Sequence, residues 1–94
     1  MAVYVDDYRV PWRGQEWSHL LADTTEELHA FAARLGLERG RFQHKPGRPW
    51  QDHYDVPEAK RRHAIRLGAK PITCGEAGKM LHAKRLRWSG SGRS

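Results

Sequence analysis

A chain of 94 residues with 17 Lys or Arg against 11 Asp or Glu, a net charge of +6 and 38% apolar residues has the size and make-up of one small basic domain. Its single cysteine, Cys74, excludes an internal disulfide and suits a reducing, cytoplasmic setting. No stretch approaches the about eighteen apolar residues that span a bilayer, and no basic-then-apolar leader opens the chain, so no membrane role is expected.

Ala2-Val3-Tyr4-Val5 is a β-branched and aromatic run that reads as a buried strand, and it runs directly into Asp6-Asp7. Acids where such a strand ends sit at the lip of a sheet, the place where open α/β sheets bind ligands. Tyr8 to Gln15, with Pro11 and Gly14, reads as a loop. Trp12 between Arg9 and Arg13 can stack a ring and hold a phosphate, although the commoner use of such a Trp is to cap the core. Trp17 to Asp23 is expected as a second buried strand. Thr24-x-x-Glu27 is a capping box, Leu28, Phe31, Ala32 and Leu35 recur at helical spacing, and Gly36 supplies a stop. A helix over 25–35 is the expected result.

Residues 38–52 are rich in Gly, Pro and Arg and read as an exposed basic loop, with a short strand at Arg41 to His44. His53-Tyr54-Asp55-Val56-Pro57 is expected to close that loop and open a helix, with Pro57 in the first turn and Asp55 as a cap. In that helix Ala59, His63, Ala64 and Leu67 face inward, while Lys60, Arg61, Arg62 and Arg66 face outward and Gly68 ends it. Ala69 to Thr73 reads as an edge strand because of Pro71. Thr73-x-x-Glu76 launches a last helix with Ala77, Met80 and Leu81 inward. Residues 1–84 are expected to form the globular domain and 85–94 a flexible basic tail.

Charge is unevenly spread along this order. Residues 1–37 hold six acids and three bases, whereas residues 38–94 hold fourteen bases and five acids. Such asymmetry points to an anionic partner, with nucleic acid or a nucleotide first in line, or else to a solvated surface. The alternation of strands and helices predicts an α/β fold: a small single domain of three or four mostly parallel short strands covered by three helices.

On that topology several polar groups share one rim. Asp6, Asp23 and Asp55 are candidate ligands for a divalent cation such as Mg²⁺. Asp6, Asp7, His19, His53 and Asp55 are candidate catalytic groups, with the imidazoles as acid or base. Trp12, Arg13, Tyr54, Lys60, Arg61 and Thr73 are candidate contacts to a phosphate-bearing ligand. The competing reading gives the acids to turn caps and ion pairs and makes the chain a non-catalytic module that docks nucleic acid or an acidic protein through its basic half. A zinc site is not expected, since Cys74 has no second cysteine to work with.

Taken together, Val3-Tyr4-Val5-Asp6-Asp7, His19 through Asp23-Thr24 with Glu27-Leu28-His29-Ala30, His53-Tyr54-Asp55, Lys60-Arg61, Gly68-Ala69 and Ile72-Thr73 resemble DUF4031, a bacterial and phage family known as a domain of unknown function. The resemblance runs from about Val3 to Lys79 and departs from the family pattern at Trp17-Ser18 and Pro57. It implies a stand-alone compact domain and no particular activity.

Overall fold

Backbone alternation, more than helical periodicity, organises this chain. The computed structural model describes residues 2–91, with side chains through Arg87. In order the elements are β1 (Val3–Val5), β2 (Val10–Trp12), β3 (Gln15–Ala22), α1 (Thr25–Arg34), β4 (Phe42–Gln43), β5 (His53–Pro57), α2 (Glu58–Arg66), β6 (Lys70–Pro71) and α3 (Cys74–Ser91). Short 3-10 turns at Arg39–Arg41 and Pro49–Gln51 precede β4 and β5. Among the described residues the strands form one six-stranded sheet in the order β4-β5-β3-β1-β6, with β2 also on β3.

The chain is therefore a small mixed α/β domain, but its strands are more numerous than expected and mostly antiparallel. Among the described residues only β1 and β6 run parallel, with Tyr4 opposite Lys70 and Val5 opposite Pro71. Two local causes account for the difference. The stretch read as a loop is a hairpin: Arg13 (φ 51°) and Gly14 (φ 75°) both adopt left-handed backbone, as a two-residue turn matched to strand twist requires. Pro11 is tolerated in β2 opposite Glu16, on a short strand where a lost amide donor is harmless. Likewise His53–Pro57 is a strand and not a helix start, and its burial alternates with period two.

The two faces of the sheet are unlike. Val5, Leu20, Ala22, Tyr54 and Val56 point to one side and pack against Leu28, Phe31 and Ala32 of α1, Leu35 at its C-terminal cap and Ala64 of α2. Tyr54 lies there, 1% exposed, with its hydroxyl 2.8 Å from His29 Nδ1. The opposite face carries His19, Leu21, His53 and Asp55, and Ala77 and Leu81 of α3 lie across part of it. Helices α1 and α3 begin as their sequences predict, whereas α2 starts after Pro57 with no side-chain cap, so Asp55 does not cap it. Thr24 Oγ1 accepts the Glu27 amide at 3.2 Å. At α3, Thr73 Oγ1 accepts the Glu76 amide and the Glu76 carboxylate accepts the Thr73 amide. Helix α3 continues to Ser91, across the 84/85 boundary where a tail was expected; residues 92–94 of that tail lie outside the described residues. Among the described residues no helix is long and apolar enough to cross a membrane.

The pairing along β3 is irregular at one place. Val5 faces Leu20 and Val10 faces Trp17, so four residues, 6–9, oppose only Ser18 and His19. The first strand bulges there, and Asp6 stands at the start of the bulge.

Candidate metal centre

Antiparallel pairing of β3 with β5 sets His19 directly opposite Asp55. Residues two apart on a strand share a face, so His53 joins them. His53 Nε2 is 3.4 Å and His19 Nε2 4.0 Å from Asp55 Oδ1. The imidazole centroids are 5.0 Å apart and nearly perpendicular at 85°. One ligand atom from each of His19, His53 and Asp55 falls within 4.8 Å of the others, a group that could hold a metal ion.

Each ring is held from behind. The bulge turns the Asp6 carboxylate under His19, where Oδ1 accepts the His19 amide at 2.9 Å and the Tyr8 amide at 3.2 Å, and Oδ2 meets His19 Nδ1 at 2.7 Å. His53 Nδ1 lies 2.8 Å from the Gln51 carbonyl. An ionised carboxylate and a carbonyl only accept hydrogen bonds, so each Nδ1 carries a proton and each Nε2 faces the cluster, donating to Asp55 when the ring is protonated and offering its lone pair when the ring is neutral. Backing of this kind orients metal-binding histidines and raises their basicity. Tyr8 packs edge-on against the His19 ring at 5.5 Å.

The electrostatics reflect these contacts. Burial alone would raise the pKa of Asp6, only 2% exposed, but the His19 ring and the two amides outweigh it and hold the carboxyl below its ordinary value. Asp55 is also held low, chiefly by its hydrogen bond with His53, against opposing burial. Burial pushes His53 down, yet the Asp55 carboxylate and the Gln51 carbonyl outweigh it, so His53 gains its proton more readily than a free imidazole.

Two grooves meet at this cluster, both bordered by His19, Gln43 and His53. The smaller, about 210 Å³, runs beneath α3 past Asp6, Leu21, His44, Lys45, Ala77 and Leu81. The larger, about 520 Å³, crosses the sheet from Asp55 to Val10, Trp12 and Trp17, with Gly40 and Arg41 on the far lip.

Other residues proposed from the sequence lie elsewhere. Asp23 binds the Ala2 amide and the Tyr4 hydroxyl at 3.1 and 3.0 Å, away from the cluster, because it begins the turn that leaves β3. Asp7 accepts the Cys74 amide at 2.8 Å and so serves the start of α3. Tyr54 is turned into the core by the same alternation. Lys60 Nζ donates to the Leu35 carbonyl at 2.6 Å and closes the end of α1. Arg61 Nε donates to the Asp6 backbone carbonyl at 2.9 Å, supporting the bulge. Thr73 is a helix cap. Trp12 is 55% exposed and does not cap the core; Arg13 lies 4.4 Å over its ring at the hairpin tip. Sequence reasoning missed Trp17, Arg41 and Gln43 as groove lining, and it missed the His44–Asp52 pair at 2.7 Å. The period-two spacing His53-x-Asp55 was the available signal for the cluster.

Residues 3–84 match the family model described as Protein of unknown function (DUF4031). The chain belongs to DUF4031. No curated protein and no solved structure matches this DUF4031 chain. Its matched span takes in every strand among the described residues and the whole histidine–aspartate cluster.

Proposed function

We propose that this DUF4031 protein holds a divalent transition metal on His19, His53 and Asp55 and uses it in the cytoplasm to hydrolyse a phosphate ester of nucleic acid or a nucleotide. The observation that carries the reading is the meeting of two imidazole Nε2 atoms and one carboxylate oxygen, with both Nδ1 atoms already engaged. Such a mixed nitrogen–oxygen set suits zinc, manganese or iron better than Mg²⁺, which prefers oxygen ligands. Asp6 then acts one step behind the ligands, and Asp23 takes no part.

An ion on His19, His53 and Asp55 would supply Lewis acidity, acidifying a water and polarising the phosphate. In the net reaction water adds across the ester: its oxygen bonds to phosphorus and one of its protons goes to solvent. The ester P–O bond breaks and its oxygen is protonated from water, so a diester yields a monoester and an alcohol. Arg41 and Lys45 border the two grooves beside the cluster and supply positive charge for the phosphate.

Calorimetric titration of the wild-type protein with Zn²⁺ and Mn²⁺, repeated on His53→Ala and Asp55→Asn, tests the site. Hydrolysis of bis(p-nitrophenyl) phosphate before and after EDTA tests the chemistry. Wild type binds one ion, both variants lose it, and EDTA abolishes turnover until metal is restored. Equal metal binding by all three proteins, or turnover that survives EDTA, overturns the proposal. Nucleic-acid binding without any turnover would leave a docking module in its place.

A further inference from the structure

The larger groove ends in aromatic rings that the hydrolytic chemistry itself does not need. Trp17 lies two residues before His19 on the same face of β3, hence about 7 Å along the strand. Trp12 meets Trp17 edge-on at 5.7 Å, and Trp17 Nε1 donates to the Trp12 carbonyl at 2.9 Å, so the pair is braced. Guanidinium groups lie over both indoles: Arg13 is 4.4 Å from the Trp12 ring centre and Arg41 5.8 Å from that of Trp17. Trp12 remains 55% exposed, a large apolar area for so small a protein to leave in water.

We infer that this Trp12–Trp17–Arg41 end of the groove stacks an unpaired nucleobase next to the phosphate at His19, His53 and Asp55, making single-stranded nucleic acid the substrate class. The inference rests on the metal-centre reading for the position of the phosphate. Indole faces and guanidinium planes both stack bases, and they can do so only with a base released from pairing. The spacing from Trp17 to His19 matches the reach from a base to its own phosphate. A paired base keeps its faces against its neighbours in the duplex and cannot enter.

The test measures fluorescence anisotropy in EDTA, so that binding does not depend on metal. The probes are dT and rU ten-mers, a ten-mer of abasic spacers with the same phosphates, and a duplex of equal length. The wild-type protein binds the two single strands, and the ratio of their affinities assigns the sugar. Trp12→Ala weakens single-strand binding about five- to 150-fold, the range of one lost stack, while Trp12→Phe retains most of it. The abasic strand and the duplex bind the wild-type protein weakly. The inference is overturned if Trp12→Ala binds as wild type does, or if abasic or duplex probes bind as tightly as dT or rU. It is equally overturned if Trp12→Ala breaks a dimer in sedimentation and leaves oligonucleotide affinity unchanged. Loss of metal binding or turnover with these affinities intact would remove the metal-centre reading alone.

Discussion

Asp6 shows how one carboxylate can serve both fold and site. It is 2% exposed and accepts two backbone amides besides the His19 ring. Asp6→Asn keeps the shape but replaces one accepting oxygen with a donor, and denaturant unfolding should show a loss of about 2 kcal/mol. Because the folded carboxyl is held low, its contribution is present above the unfolded value of about 3.9 and disappears as pH falls through the folded value. The gap between wild type and variant therefore stays constant near neutrality and closes below about pH 4. A gap that widens on acidification would contradict this sign. Loss of the backing of His19 should also weaken metal binding about 10- to 100-fold. At this scale the sequence showed the right residue types in the right neighbourhood: Asp6, His19, His53 and Asp55 do meet. It could not show their order, with Asp6 behind a ring and Asp55 in front, because that depends on a bulge that has no signature in residue identity.

Among the elements, the clearest reassignment is Lys60. A basic helix face reads as a phosphate contact, yet the ammonium caps the last turn of α1 through the Leu35 carbonyl. Lys60→Met should therefore cost about 1 kcal/mol in stability, one net hydrogen bond, and leave the salt dependence of oligonucleotide binding as it was. A shallower slope would return Lys60 to the interface. Both helix caps and the span of α1 were legible, since capping boxes and apolar spacing are local. Strand β2 and the strand character of His53–Pro57 were not: proline obscured both, and only the partner β3 shows that each is paired. Tyr54 was misassigned for the same reason, since its neighbours on either side face the groove while it faces the core.

Across the whole molecule, metal binding should appear as folding stability. Ligands on β3 and β5 exist as a set only in the native chain, and an ion at a hundred times its Kd adds about 2.7 kcal/mol. For a domain of this size that corresponds to a rise in Tm of roughly 10–20 °C. Differential scanning fluorimetry should show the rise with Zn²⁺, its reversal by EDTA and its absence in Asp55→Asn; an equal rise in the variant would locate the ion elsewhere. The parallel sheet expected from alternating strands and helices failed because the hairpin at Arg13-Gly14 returns β3 beside β2 and leaves room for a single parallel pair.

The four residues from Asp6 to Arg9 that oppose two on β3 make the early chain unequal in its tolerance of length change. Adding or removing one residue there would swing the carboxylate from beneath the imidazole to the far side of the sheet, with every later strand still able to pair. A similar change at the Arg13-Gly14 tip lies beyond the last paired rung and spares the histidines. Among natural versions of this domain, length should vary freely at the tip and hardly at all a few residues upstream.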